Sequence, residues 1–361
     1  MDVADLARDL VSIPSHEDET AAGDRIEAWL REHTDAAVTR DDAPNGGNVF
    51  ARKPGPGAAS LALVGHHDVV PPDDAQVGPD GYVVEERDGR LSGRGAADMK
   101  GAVAAAMCAF RDSDPAGELV FASFVGEEVG GVGARHAVDA GFAPDYAVVG
   151  EGSTGYSAPG VTDVAVAHRG RRGSTVLARG DAAHASEPGA GENAVYRACE
   201  SVDVLRDLDA PTAEVLGHAV EGSVVVTGIE GGTAWNVVPE RCTVTVDERT
   251  VPGERAAVER VEDVAGVSWT VDQDLPPMAC GDEAFAETVL AAATAVQASA
   301  PEFVVKPHAT DAGWLAGAGT ECVVCGPSEP GEAHTADESV SLAVLERCAT
   351  TYRAVAETLA G

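Results

Sequence analysis

Lysine is nearly absent from this 361-residue chain, which contains only Lys53, Lys100 and Lys306. Acidic residues are abundant, with 60 Asp and Glu against 25 Lys and Arg and a net charge of −35. Nucleic-acid binding depends on clustered cations, so this composition argues against a nucleic-acid partner and against an anionic membrane surface. Because salt screens self-repulsion, we expect a protein adapted to a salty cytoplasm, with an ordinary acidic enzyme as the alternative.

Long apolar runs and a regular cysteine spacing are missing as well. No stretch approaches the roughly 20 residues that a membrane-spanning helix needs. The opening segment MDVADLARDLVSIP has neither the basic nor the apolar part of a secretory signal. Seven cysteines, an odd number, show no disulfide pattern, and the pair Cys322 and Cys325 lies in an apolar run without further ligands nearby. These features predict a cytoplasmic protein in a reducing compartment, with these two cysteines buried in a strand.

The order of helical and strand patterns predicts an α/β protein with two domains. Residues 1–158 alternate helix and strand, and the same style returns over residues 274–361. Residues 161–272 follow a strand, helix, strand pattern with antiparallel hairpin signals. We therefore predict a discontinuous first domain, 1–158 plus 274–361, built on a mixed sheet flanked by helices. The smaller α+β domain, 161–272, would be inserted into it.

Acids and histidines follow apolar runs of strand character at four places: LALVG, LVFASFVG, YAVVG and ECVVCG. With one more acid from the segment GRGAADMKG, these residues are His66, Asp68, Asp98, Glu127, Glu128, Glu151 and His334. In open α/β sheets ligands bind beyond the carboxyl ends of the strands, so we expect these side chains to gather at one edge of one sheet. Such a cluster of carboxylates and imidazoles is typical of a metallohydrolase.

The spacing of these residues indicates separate tasks. His66 and Asp68, two apart at a strand end, allow one ring nitrogen to bind a metal while a carboxylate orients the imidazole. Asp98 carries a short carboxylate that can bridge two cations. Side chains of the adjacent Glu127 and Glu128 diverge, so that one can bind metal while the other faces water, and Glu127 is our candidate general base. Zinc suits such mixed nitrogen and oxygen ligation, and cobalt or manganese would also fit.

Each of these residues also has a purely structural interpretation. In a chain with 60 acids, a single Asp or Glu is usually a solvated surface group. His67, beside His66, is expected to point away from the site and to be structural. The functional interpretation is favoured because surface charge has no reason to recur directly after apolar strands.

Five segments resemble the ordered motif set of the M20 metallopeptidase family: GHHDVVP, GRGAADMKG, GEEVGG, GEGS and EAHTADES. The resemblance covers nearly the whole chain and implies a zinc-exopeptidase-like fold with an inserted lid and dimerisation domain. The zinc ligands that it implies are His66, Asp98 and Glu151 for one ion and Asp98, Glu128 and His334 for the other. It also implies Glu127 as the acid and base, and Asp68 as the residue that orients His66.

In the inserted domain the resemblance implies three further functional residues. His184, in GDAAHASEP, would polarise the scissile carbonyl, and in dimeric members this histidine comes from the partner subunit. Asn236, in GTAWNVVPE, and Arg249, in DERTVPG, would contact the substrate. A guanidinium can bind a free α-carboxylate through two hydrogen bonds, although Arg249 could instead pair with an acid such as Asp247 or Glu248.

The resemblance implies a dinuclear-metal amidohydrolase that acts on a small N-acyl amino acid, most simply a biosynthetic deacylase, and that dimerises through the inserted domain. The segment HATDAGWL matches the family's specificity loop loosely, so acetylated or succinylated amino acids, a carrier-linked lysine or ornithine, and dipeptides all stay open. A dipeptidase, carboxypeptidase or aminopeptidase, and a noncatalytic metal-binding homologue, are the alternatives. The cluster Arg169, Arg171 and Arg172 is expected to form surface ion pairs, with a dimer or substrate role as the alternative.

Overall fold

The computed structural model describes residues 1–79 and 81–359 of the chain. The helices of these residues are α1 Val3–Val11, α2 Thr20–His33, α3 Gly101–Asp112, α4 Val132–Asp139, α5 Ala194–Arg206, α6 Glu283–Ala295, α7 Ala312–Gly317 and α8 Leu342–Thr358. The strands are β1 Ala37–Arg40, β2 Val49–Lys53, β3 Ser60–His66, β4 Val77–Gly78, β5 Gly81–Tyr82, β6 Glu85–Arg87, β7 Arg90–Ser92, β8 Glu118–Phe124, β9 Tyr146–Val149, β10 Val164–His168, β11 Gly170–Arg179, β12 Ala183–His184, β13 Thr212–Val215, β14 His218–Glu221, β15 Ser223–Gly231, β16 Val237–Val238, β17 Arg241–Thr250, β18 Val267–Leu275, β19 Met278–Ala279, β20 Phe303–Lys306, β21 Glu321–Val324 and β22 Ser339–Ser341. Within this part of the chain, no helix has both the length and the apolar character needed to cross a membrane.

The central sheet is mixed and lies between two layers of helices. Within the described residues it has the order β1–β2–β8–β3–β9–β21–β10–β19, and β20 also pairs with β10. Strands β8, β3, β9 and β21 run parallel to one another, and the strands on both sides of them are antiparallel. This arrangement confirms the predicted α/β class. It also brings the carboxyl ends of four strands to the same edge of the sheet.

Alternating side chains of the parallel strands form the two sides of the core. Leu61 and Leu63 of β3 pack in the larger core cluster with α1, α2, α3, α6 and α8, whereas Ala62 and Val64 pack towards α4 and α7. Helix α3 lies inside the larger layer, and every residue from Gly101 to Phe110 is buried. A helix that is apolar on all sides is stable only when it is enclosed in this way.

A second sheet forms the lid, which we define as residues 170–275. Its strands are antiparallel in the order β15–β17–β11–β18, and α5 packs on one face of the sheet. The hairpin β13–β14 leaves the lid and packs on the central domain, where Val215 and Val220 join the main core. The lid is therefore tied to the central domain at a place other than its two chain connections.

The sheets divide the chain at positions that differ from the predicted limits. Strand β10, within the predicted inserted segment 161–272, lies in the central sheet, and β18 of the lid continues to Leu275. All five residues of β10 are buried, whereas burial alternates along β11. Strands covered on both faces and strands covered on one face show this difference. We therefore propose limits near His168 and Leu275 for the two domains; residues 360 and 361 of the predicted first domain lie outside the described residues.

The three lysines have structural positions. Lys53 donates from Nζ to three main-chain carbonyls, those of residues 110, 111 and 113, at 2.8–3.1 Å. Lys100 donates to the carbonyl of Ile13 at 2.5 Å, and Lys306 donates to that of Gly152 at 2.9 Å. Each ammonium group therefore satisfies backbone acceptors, and arginine supplies most of the positive charge of the surface.

Candidate metal centre

Strand β3 ends at His66 and places this buried imidazole at the carboxyl edge of the sheet. Its Nε2 lies 3.1 Å from Asp98 Oδ1 and 3.3 Å from Glu151 Oε1. Its Nδ1 lies 3.1 Å from Asp68 Oδ1. One ring nitrogen therefore faces two carboxylates, while the other is held by Asp68, the arrangement in which a carboxylate fixes the orientation of a metal-binding histidine.

His334 approaches the same centre from the loop after β21. Its Nε2 lies 2.9 Å from Glu128 Oε1 and 3.1 Å from Asp98 Oδ2. Hydrogen bonds to Asp98 and Glu128 raise the pKa of His334 to about 10. Burial alone would raise the pKa of Asp98, but its hydrogen bonds to His334 and His66 lower it. The two oxygens of Asp98 thus face two different histidines, which is the geometry of a bridging carboxylate.

Glu127 and Glu128 follow the end of β8 in a loop held by Asp68. The backbone N–H of Glu127 donates to Asp68 Oδ1 at 3.1 Å, and that of Glu128 donates to Asp68 Oδ2 at 3.0 Å. Burial raises the pKa of Glu127 well above its ordinary value; the positive charge of His66 opposes this, and the negative charge of Asp311 adds to it. Asp68 therefore connects the ring of His66 to the loop that carries both glutamates.

The donor set fits divalent metal ions. Ligand atoms lie within 4.8 Å of one another in three groups: His66, Asp98 and Glu151; His66, Glu127 and Glu128; and Asp98, Glu128 and His334. Imidazole nitrogen together with carboxylate oxygen suits zinc and several other divalent metals. Burial raises the pKa of Glu127 and of Glu128, and the charges of neighbouring carboxylates add to the rise, a repulsion that cations at this place would relieve.

A cavity of about 450 Å³ opens over these residues, between the central domain and the lid. On the lid side it is lined by Arg171, Arg249 and Gln273. Asp247 joins the two arginines, with its carboxylate oxygens 2.7 Å from Arg171 Nε and 2.8 Å from Arg249 Nε. Arg171 also donates from Nη1 to Gln273 at 2.8 Å. Arg249 thus both lines the cavity and pairs with Asp247.

Comparison with known proteins decides the family. Residues 62–358 match the family model described as peptidase family M20/M25/M40. The chain belongs to this family. An acetylornithine deacetylase of Myxococcus xanthus is 33% identical over 333 residues, which cover 87% of this chain and 84% of the relative. A putative LysW-lysine/LysW-ornithine hydrolase of Pyrobaculum aerophilum is 31% identical over an alignment 378 positions long, which covers 99% of this chain and 98% of the relative.

The solved structures show the same fold. Aminopeptidase PepT of Bacillus cereus superimposes with a TM-score of 0.80 at 19% identity, covering 98% of this chain and 97% of that one. The protein is therefore an M20 hydrolase that acts on amide or peptide bonds, as the motifs predicted.

Two residues predicted to act in this M20 site lie outside the cavity of their own chain. His184 and Asn236 are exposed in the lid, with His184 Nε2 3.4 Å from Asn236 Nδ2. His184 Nδ1 lies 2.6 Å from Ser186 Oγ. Among the described residues that line the cavity, neither of the two is present.

The cluster Arg169, Arg171 and Arg172 follows the prediction of surface ion pairs only in part, because the partly exposed Arg171 pairs with Asp247. Arg171 lines the cavity, and Arg172 is buried against Glu248 and the ring of Trp269. Arg169 shows no side-chain ion pair among the described residues. His67 packs away from the carboxylates as expected, with Nδ1 2.9 Å from Ser123 Oγ.

Two charged residues beside this M20 centre were not predicted from the sequence. Lys306, at the end of β20, places Nζ 3.5 Å from Glu151 Oε2 and lines the cavity. Asp311 is buried, neither carboxylate oxygen has a hydrogen-bond partner among the described residues, and burial raises its pKa to about 8. Lys306 could have been found by the rule applied to the other strands, because it ends the run FVVK. Asp311 follows no strand and had no comparable signal.

Proposed function

We propose that this M20 hydrolase removes the acyl group from an N-acylated amino acid of the acetylornithine, acetyl-lysine or succinyl-diaminopimelate kind, with a pair of zinc ions. The observation that carries the proposal is the pair of histidine–carboxylate clusters that share Asp98 beside the partly buried Glu127. The relatives named as an acetylornithine deacetylase and a LysW-lysine/LysW-ornithine hydrolase support it.

In this proposal each side chain of the centre has a distinct task. His66, Asp98 and Glu151 would hold one cation, and Asp98, Glu128 and His334 would hold the other. A bound pair of divalent ions would polarise the amide carbonyl and make a water molecule more acidic. Asp68 keeps the ring of His66 in its binding orientation.

Glu127 would move the proton. Its carboxylate accepts a proton from the attacking water and then passes it to the nitrogen of the leaving amine. Burial raises the pKa of Glu127, which makes its carboxylate a stronger acceptor for the proton of the attacking water. Its carboxylate lies within 4.8 Å of ligand atoms of His66 and Glu128, so a carbonyl polarised by the metal ions would lie beside it.

The lid wall favours a substrate with a free carboxylate. Arg171 and Arg249 are held in place by Asp247, so their guanidinium groups face the cavity without a large loss of side-chain freedom. A bidentate contact from Arg249 to the α-carboxylate of the substrate would orient the amide towards Glu127. The positive charges of these two arginines would repel a protonated α-amine, which disfavours the aminopeptidase alternative.

His184 and Asn236 would act in the cavity of a second copy of the chain. Both are exposed and lie close together, and Trp235 beside them is also fully exposed, so this part of the lid is free to meet another subunit. We therefore keep the homodimer through the lid, with His184 polarising the substrate carbonyl across the interface, as part of the proposal.

A substrate panel tests the proposal directly. Hydrolysis of N-acetyl amino acids, N-succinyl amino acids and dipeptides is measured with chelator and after metal is added back. We expect the N-acyl amino acids to be the best substrates, with activity lost in chelator and restored by zinc. The α-carboxamide analogue of the best substrate is the matched control and should raise KM. Preferred cleavage of dipeptides would favour the peptidase alternative, and no turnover of any substrate would favour a noncatalytic homologue.

A further inference from the structure

Four consecutive backbone amides leading into the two glutamates are each bound by a buried side chain from elsewhere in the chain. We call Val125–Glu128 the base segment. The acceptors, in order along this segment, are Asn48 Oδ1 at 3.0 Å, Glu19 Oε2 at 3.0 Å, Asp68 Oδ1 at 3.1 Å and Asp68 Oδ2 at 3.0 Å. These amides lie beyond the end of β8, so side chains take the role that a neighbouring strand would have.

Three carbonyl groups of the base segment, those of Val125, Gly126 and Glu127, are bound as well. The N–H of Gly133 donates to the carbonyl of Val125 at 2.8 Å, and that of Val132 donates to Gly126 at 3.0 Å. The carbonyl of Glu127 accepts from the next turn of the same loop. Hydrogen bonds therefore hold both the N–H groups and these three carbonyl groups of the base segment. The backbone from which the Glu127 side chain projects is held in the same way.

Glu19 is the unexpected member of this set, because no motif pointed to it. Its side chain is 4% exposed, and its Oε1 accepts from Asn45 Nδ2 at 3.1 Å. Two neutral donors are weak compensation for a buried carboxylate, and burial together with the charge of Asp68 raises the pKa of Glu19 to about 8. Among the described residues, the one backbone N–H that binds this carboxylate is that of Gly126, the residue before Glu127.

Gly126 is the position at which this contact matters most. It has a positive φ of 61°, and glycine has no side chain to restrict its backbone. Its hydrogen bond to Glu19 therefore limits rotation directly before the two glutamates. A general base must be held to within about 0.5 Å of its working position, so a small rotation here would matter.

We propose that Glu19 is a positioning residue for Glu127, and that Asn48 supports it by holding the preceding amide. The proposal rests on the proposed function for the role of Glu127 as the base. It assigns Glu19 no contact with substrate or metal. Its positioning effect passes through the hydrogen bond that it accepts from the N–H of Gly126.

Three substitutions of Glu19 separate positioning from simple stability. Glu19→Gln keeps an oxygen for the Gly126 N–H, Glu19→Ala removes it, and Glu19→Asp shortens the side chain so that it no longer reaches. We expect kcat to fall about ten- to a hundredfold in the Ala and Asp variants, as when a supporting partner of a metal site is lost, and the Gln variant to stay close to wild type. KM should change by less than about twofold, because Arg249 and the lid are untouched.

Amide hydrogen exchange, followed by mass spectrometry on the metal-loaded protein, gives a readout that does not depend on activity. The peptide containing the base segment should be protected in wild type and Glu19→Gln, and should exchange faster in Glu19→Ala and Glu19→Asp. Glu321→Ala is the matched control, because Glu321 Oε2 accepts the N–H groups of Gly281 and Asp282 at 2.7 and 3.1 Å, at the opposite edge of the sheet. That variant should lose protection near Gly281 and keep wild-type kcat.

Two results would overturn the proposal: unchanged kcat and protection in the Ala and Asp variants, or a Gln variant as impaired as the Ala variant. If Glu19→Ala does not fold, the comparison of Asp with Gln decides. If wild type hydrolyses no member of the substrate panel, the proposed function fails. Hydrogen exchange then still shows whether Glu19 fixes the segment.

Discussion

The buried ion pair behind Asp98 gives the sharpest prediction about stability. Glu338 and Arg94 are both almost fully buried, and Arg94 Nη1 lies 2.6 Å from Glu338 Oε2. Glu338 Oε1 also accepts the N–H groups of Ala97 and Asp98, at 3.0 and 3.1 Å. Replacing Glu338 by Ala leaves the charge of Arg94 buried, with Asp73 as its nearest acid at 3.7 Å. We expect a loss of about 3–5 kcal/mol in the free energy of unfolding, the usual effect of removing one partner of a buried pair.

Urea unfolding of the metal-free protein in molar KCl, followed by circular dichroism, measures this loss. The double variant Arg94→Leu with Glu338→Leu removes both charges and should be less destabilised than Glu338→Ala alone. The exposed pair of Arg353 and Glu357, at 2.7 Å, is the matched control, and Glu357→Ala should cost less than about 1 kcal/mol. A loss below about 1 kcal/mol in Glu338→Ala would refute the reasoning.

Three further predictions concern the centre and the surface. Glu127→Gln should keep both metals, measured by elemental analysis, and should lose about 10²–10⁴ in kcat; near-native turnover would remove Glu127 from its role. Because the pKa of His334 is raised to about 10, its protonated form stabilises the metal-free fold fully below pH about 6.5, and this stabilisation disappears as pH rises through 10. Metal must displace that proton, so calorimetric metal affinity should rise from pH 7 to 9, and a flat profile would count against the assigned ligand. The net charge of −35 predicts a higher urea midpoint in molar KCl than in dilute buffer, and equal midpoints would contradict adaptation to salt.

The sequence carried enough information for the fold class and for the edge at which polar residues meet. Apolar runs that end in glycine mark β3, β8 and β9, and parallel strands bring the residues that follow them to one place. His66, Glu127 and Glu151 lie together for this reason. The local sequence pattern and the topology of the sheet therefore place these residues at the same edge.

The limit between the domains was harder to predict, because the chain passes from one sheet to the other within a single residue. Only Arg169 separates β10 from β11, and both segments have strand character. The difference lies in burial: β10 is covered on both faces, and β11 on one. The continuous apolar run VAVA was the local sign of this, but it does not say which sheet the strand joins.

Contacts between distant acids and the site could not be predicted from sequence. Glu19 binds a backbone amide 107 residues away, and Glu338 binds one 240 residues away. In a chain with 60 acids, neither residue stands out by type or spacing. His184 is the opposite case. A sequence motif indicated it as a site residue, but it does not line the cavity of its own chain.

Anomalous diffraction from crystals of the zinc-loaded protein would show whether two metal ions share Asp98. We predict two zinc peaks about 3.5–4 Å apart, one among His66, Asp98 and Glu151 and one among Asp98, Glu128 and His334. A single peak, or zinc bound away from Asp98, would contradict this prediction.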